Sequence, residues 1–406
     1  MRAGVWIAVC ILCLHAGSAL AQADSLRIDS ESVQQTGTRK SILQNLEMSG
    51  YVKQLQTFIL VRGLDSLLTD NLLHNRLNFT YAIDTSLSLV VEVRNRIFYG
   101  DLLRQVPQYP QLIDSGNDVW DLSAMPVRSR SLLVHTMLDR VYAEWTKNKL
   151  EVRLGRQRIN WGLNLVWNPN DIFNAYSFFD FDYEERPGSD ALRVRYFTGF
   201  AGGAEFAARL TTDPAKQTIA GLYKFNRSGY DIQFLGGVLG REAVAGLGWA
   251  GSIQDAGFKG EFTYLHPYQN PLHKSGQLLA SVSADYSFAS SLYLHASVLY
   301  NSRGEKNPEV LLFQAFRPGR LSVKDLSPYK YNVFAQASYP IHPLLNAGLA
   351  TIYFPEDQAL FLNPTLTYSA FPNLDLDAIG QFFLDSEQGE FKAVSKAVFV
   401  RLKWSF

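Results

Sequence analysis

The chain ends Val398-Phe399-Val400-Arg401-Leu402-Lys403-Trp404-Ser405-Phe406, and that ending narrows the choice of folds more than any other feature. Counted back from the terminus, Phe406, Trp404, Leu402, Val400 and Val398 share one face of a strand. Ser405, Lys403, Arg401 and Phe399 share the other, because successive strand side chains point to opposite sides. One face is wholly apolar and the other largely polar. That asymmetry suits lipid on one side and a wet lumen on the other. The competing reading is the last strand of a soluble sheet, and the rest of the chain decides between them.

The same alternation recurs along the sequence. Leu73, Asn75, Leu77, Phe79 and Tyr81 alternate with His74, Arg76, Asn78 and Thr80. Leu89, Val91 and Val93 oppose Glu92, Arg94 and Arg96. Val282, Ala284, Tyr286 and Phe288 oppose Ser281, Ser283, Asp285 and Ser287. Such runs are long enough for a tilted strand to cross a bilayer, which takes about 9–11 residues. The spacing predicts strands over 46–59, 71–83, 87–99, 131–145, 149–160, 190–197, 201–211, 217–226, 230–240, 242–253, 256–266, 277–288, 291–303, 329–340, 344–354, 358–370, 373–385 and 394–406. The fold expected is all-β, a transmembrane antiparallel β-barrel of about 18 strands, with 16 as the alternative count. Parity supports 18. Short turns such as 84–86, 146–148 and 341–343 then share one rim, and the long connectors 100–130, 161–189, 266–276, 304–328 and 386–393 share the other. The register requires a split of 190–211 at Thr198-Gly199-Phe200.

Residues 1–21 read as a secretory signal: Arg2, an apolar Val5 to Leu14 too short to span a bilayer, and small residues at Ala19 and Ala21. Both cysteines, Cys10 and Cys13, fall inside it. The exported chain therefore offers no disulfide, thiol nucleophile or cysteine metal site. Loss of Arg2 leaves 37 basic residues against 38 acidic ones, a balance that argues against a nucleic-acid partner. Beyond residue 21 no apolar run reaches the roughly 18 residues of a membrane helix. Residues 22–45 are polar and are expected to form a flexible periplasmic lead-in, and 46–406 the barrel.

The most unusual stretch runs from Gly155-Arg156-Gln157-Arg158-Ile159-Asn160-Trp161-Gly162 through Trp167-Asn168-Pro169-Asn170-Asp171-Ile172-Phe173-Asn174 to Asp180-Phe181-Asp182-Tyr183-Glu184-Glu185. It is long, aromatic and acidic, unlike a Gly/Ser linker. Long loops in compact proteins tend to carry a task. The reading favours a constriction folded into the lumen, with Trp161, Trp167, Asp171, Asp180, Asp182, Glu184 and Glu185 as its residues; packing on the rim is the alternative. A calcium site at Asp180, Asp182, Glu184 and Glu185 lacks the spacing of an EF-hand, so no metal or cofactor is expected.

The Gly-Arg-Gln strand end, the Trp-Gly after it and the Asn-Pro-x-Asp-x-Phe-Asn loop resemble the alginate-export-type barrels and their porin-like relatives. The terminus, with Leu402, Trp404 and Phe406, resembles the C-terminal assembly signal of outer-membrane barrels. The resemblance implies a Gram-negative outer membrane, contact with its lipid and lipopolysaccharide, recognition by the barrel assembly machinery, and a passive channel, in some members for anionic polysaccharide.

Arginines gather near the same loop: Arg140, Arg153, Arg156, Arg158, Arg193 and Arg195. Alternation turns Arg153, Arg193 and Arg195 to the lumen, since an arginine on the lipid face costs about 2–4 kcal/mol at mid-membrane. Two roles stand open: an anion-attracting ladder, or ion-paired braces to Glu92, Glu144 and Glu151. Six histidines lie beyond residue 21, none in a motif with a nucleophilic serine or with metal-ligand spacing. A non-catalytic channel for passive diffusion or export of polar solutes or saccharides is expected. A structural or polysaccharide-anchoring barrel is the alternative, and an outer-membrane hydrolase the more remote one.

Overall fold

A computed structural model describes residues 45–62, 67–114, 118–182, 185–186, 188–199, 201–268, 275–305 and 321–406. The strands are β1 (Leu46–Val61), β2 (Leu68–Ala82), β3 (Leu87–Gly100), β4 (Ser123–Arg128), β5 (Leu133–Lys147), β6 (Leu150–Gln157), β7 (Ser189–Phe197), β8 (Gly203–Arg209), β9 (Thr218–Arg227) and β10 (Tyr230–Leu239). They continue as β11 (Glu242–Ile253), β12 (Ala256–Pro267), β13 (Gln277–Ser287), β14 (Tyr293–Asn301), β15 (Tyr331–His342), β16 (Leu345–Phe354), β17 (Ala359–Phe371), β18 (Leu374–Glu387) and β19 (Glu390–Ser405). Each antiparallel neighbour follows in sequence, and β1 pairs with β19 from Tyr51↔Ser405 to Val61↔Ser395. That last seam closes an 18-stranded barrel and leaves no sheet edge to satisfy in lipid.

β4 is the exception to the count. β5 pairs with β3 along most of its length and with β6 only from Val141 to Lys147. β4 takes the stretch Leu133–Met137 that β6 does not reach. It was not anticipated from the sequence, and neither were two short helices, α1 (Asp101–Gln105) and α2 (Tyr109–Ile113). The expected long connector at 386–393 is instead a two-residue turn, with Gln388 and Gly389 both at positive φ, a conformation that suits the right-handed twist of a hairpin. The split at 198–202 is a turn in which Thr198 N–H donates to Gly202 O; Phe200 lies outside the described residues, as do the signal read at 1–21 and 22–44 of the lead-in.

The alternation decides which residues meet lipid. Val400, Leu402, Trp404 and Phe406 are each 40% exposed or more, on the outer face. Arg401 and Lys403 point inward among β1, β18 and the loop at 158–188. One irregularity matters for the interior. The β3–β5 register jumps between Arg140 and Leu138, so Asp139 is an extra residue bulged inward to Arg76, 2.8 Å away.

Candidate functional site

The segment 158–188 leaves β6 and returns to β7, its immediate neighbour, yet in between it makes a circuit of the inner wall. Trp161 indole N–H donates to Glu205 on β8 at 2.6 Å, and Gln233 on β10 donates to Trp161 O at 2.8 Å. Glu261 on β12 then accepts the backbone N–H groups of Leu163, Asn164 and Asn170 at 2.5, 2.8 and 2.8 Å. Ser283 on β13 donates to Asn164. Trp167 meets Phe334 on β15, and Phe179 meets Phe361 and Phe383 on β17 and β18. Phe181 meets Phe399 on β19, Asp182 pairs with Lys53 on β1 at 2.8 Å, and Glu185 approaches Arg76 on β2 at 3.8 Å. Arg140 on β5 donates to the carbonyls of Glu185 and Arg186. The loop is a belt lining the lumen, and the alternative of packing on the rim is not what forms.

Two apolar clusters hold this belt. Ile159, Trp161, Ile172 and Phe173 pack on inward residues of β7 to β13, and Val166, Trp167 and Phe179 pack on those of β14 to β18. Each large apolar side chain removed from water contributes about 1.5–3 kcal/mol. A wet lumen would not retain so aromatic a loop, but an apolar inner wall does. Glu261 is fully buried, and a buried carboxylate is tolerable where charge-assisted bonds from several N–H groups replace its water.

Asp171 lies outside the spanning strands and is fully buried in the belt. Burial pushes its carboxyl up to about 7, and the Arg158 charge only partly opposes this. The sign follows: the unfolded carboxyl titrates near 3.8, so the ionised form weakens the inward fold increasingly as pH rises towards 7, and acidification relieves it. Belt fluctuations, read as open-channel current noise, are expected to diminish from about pH 8 to about pH 5. Asp171→Asn is expected to reduce that dependence while Glu261, Arg158 and Arg186 remain; noise with the same pH profile in the variant would place its source elsewhere.

The arginines singled out in the sequence are brought together in pairs with acids. Arg153 lies 2.5 Å from Glu144 and 3.1 Å from Glu151. Arg193 binds both Glu205 oxygens at 2.7 and 2.9 Å, and Arg195 binds Glu151. Arg156 is buried on Asp190 at 2.7 and 3.0 Å and donates to Trp120 O. Arg140 also lies 3.1 Å from Asp139. Arg158 has Asp171 as its principal opposite charge. Asp180 O accepts from Arg186; Glu184 lies outside the described residues.

A second set was not singled out. Lys53, His74 and Arg96 stand in one cross-strand row of β1, β2 and β3, and Arg76 stands directly opposite Arg94 in the next. All five are buried and face inward. Arg94 Nε donates to His74 at 3.3 Å, and Arg96 Nη2 donates to Ile113 O at 3.1 Å and meets His135 Nδ1 at 3.0 Å. α2 sits over this row, held by Tyr109 and by the His135–Asp114 contact. The signal was present as the polar faces of 73–83 and 87–99; what sequence could not supply was the register that aligns them.

No protein-family model and no curated protein sequence matches the chain. Solved structures do. Pseudomonas aeruginosa OccK9 (OpdG) aligns with a TM-score of 0.57 at 11% identity, over 90% of this chain and 100% of that one. Acinetobacter baumannii OccAB1 aligns at 0.54 and 12% identity, over 90% and 98%. Pseudomonas aeruginosa OpdK, crystallised with vanillate, aligns at 0.56 and 9%, over 90% and 100%. The shared property is the fold, that of an outer-membrane barrel of the porin kind.

Proposed function

We propose that the protein is a passive outer-membrane channel for small polar solutes, with preference for those carrying a carboxylate. The observation that carries this reading is the inward row on β1 to β3. Lys53, His74, Arg76, Arg94 and Arg96 gather there on three adjacent strands, a basic cluster only partly offset by Asp139 and Glu92 at Arg76 and by Asp182 at Lys53. The belt supports the reading too, because it narrows the lumen, and fixed charge acts strongly where low-dielectric walls exclude water. OpdK binding vanillate, an aromatic carboxylate, agrees with the solute class. In this reading the outer face meets lipid and lipopolysaccharide, and the terminal strand is recognised by the assembly machinery.

The arginines at 153, 193 and 195 then act as braces on the wall, and Arg94 and Arg96 set selectivity. The test is the reversal potential of the purified protein in a planar bilayer under a salt gradient. Wild type is expected to favour anions weakly, and the double variant R94Q/R96Q to shift towards cations. A small aromatic carboxylate is expected to interrupt the wild-type current and to lose that effect in the variant. An unmoved reversal potential with unchanged block would sink the assignment, and absence of any conductance would favour a structural barrel.

A further inference from the structure

The outer wall is not uniform. On β13, β14 and β15 the mid-strand outward residues are only Ala, Val and Leu: Ala280, Val282 and Ala284, then Leu294, Ala296 and Val298, then Val333, Ala335 and Ala337. That is the lining lipid requires. On β1, β2, β3 and β5 the outward positions carry Gln54, Gln56, Asn71, Asn75, Asn95 and Thr136 instead. Their direction is fixed by alternation, since Lys53, His74, Arg76, Arg94 and Arg96 between them point into the barrel. Asn75 and Asn95 sit mid-strand, Asn75 between Leu73 and Leu77 and Asn95 between Val93 and Ile97, and Gln54 and Gln56 lie between Val52 and Phe58, while Asn71 faces Tyr99 near the end of β3.

The residues bond to one another along the wall. Thr136 donates to Asn95 at 2.9 Å, Asn95 donates to Asn75 at 3.1 Å, and Asn75 donates to Tyr51 O. Gln54 donates to Asn71 at 3.4 Å, and Gln56 donates to Asp70 O. The bookkeeping is incomplete at one end of the row: among the described contacts, Gln54 Oε1, Gln56 Oε1 and Asn71 Nδ2 receive no partner. Hydrocarbon cannot supply one, and an amide left bare in lipid is costly.

We infer that this polar row is the contact surface for a second copy of the same chain, joined across a two-fold axis along the membrane normal. Three features select that occupant. An amide carries both a donor and an acceptor, so the patch is complementary to itself, as an isologous contact demands. It carries no formal charge, so two copies do not repel. A head-to-tail ring would need a different polar patch elsewhere on the wall to receive this one, and β13 to β15 offer none. Hydrogen bonding between polar side chains of neighbouring segments is a recognised means of association inside bilayers.

The absence of cysteine beyond the signal gives a clean test. Gln54→Cys in outer-membrane preparations, treated with a mild oxidant, is expected to give a disulfide-linked band at twice the chain mass. Val298→Cys on the far wall is expected to stay at the single mass. The triple variant Q54L/Q56L/N71L, checked for folding by heat-modifiability, is expected to lose the doubled species in detergent extracts chemically cross-linked without cysteine. A Gln54→Cys band at any other mass would mean a different partner and would overturn the proposal. So would a cross-link equal to that of Val298→Cys, or a triple variant that is folded and still doubled.

Discussion

Deletion of residues 164–186 is expected to raise single-channel conductance several-fold, towards that of an unobstructed barrel of 18 strands. The deletion removes the part of the belt that crosses from β12 to β5 and keeps the strand ends at Gln157 and Ser189, which lie side by side in the ladder. The wall itself is expected to survive, because its backbone bonds run between strands and none depends on the belt. A subtler variant reaches the same state without shortening the chain. Glu261→Ala leaves three N–H groups of the belt, two of them buried, without an acceptor, and hydrogen bonds to a charged group are worth about 1.5–3 kcal/mol each. The expected trace is a channel switching between wild-type and enlarged levels. Planar-bilayer recording decides the matter: a deletion variant with wild-type conductance would mean that ion flow is limited outside the belt.

Loss of Phe406 is expected to remove most of the folded, heat-modifiable protein from the outer membrane. The residue does two things at the closing seam. Its N–H and C=O exchange hydrogen bonds with Gly50 at 3.0 and 2.9 Å, and its ring lies tilted against Trp404 with centroids 5.0 Å apart. Gly50 is required beneath it, since a Cβ there would meet Arg76 O at 2.2 Å. Phe406→Leu keeps the backbone pair and loses the ring, so a milder loss is expected. Densitometry of heated and unheated samples measures both, and full yield after deletion would show that neither seam nor signal depends on the last residue.

The wall was legible because a two-sided environment writes a two-residue period into every strand. Even the weak split at 198–202 follows from parity. α1 and α2 were not legible, since five residues are too few for a helical period to register, and β4 takes its place only because β6 stops short. The interior was harder. Trp161, Trp167 and Asp171 announce a loop with buried character, but its route depends on Glu261, Phe334 and Gln381, which lie from roughly a hundred to two hundred residues away in sequence. Likewise Arg193 shows its inward direction by alternation, while its partner Glu205 is known only once β7 and β8 are in register. Composition at a site reads locally; pairing does not.

The belt begins and ends on adjacent strands. Its length is therefore invisible to the ladder: no shear, tilt or strand count changes when it is lengthened, shortened or exchanged. The chain thus separates two structural tasks. Its wall is constrained by the closing ladder and the bilayer, and its inner circuit only by the side chains that line the lumen.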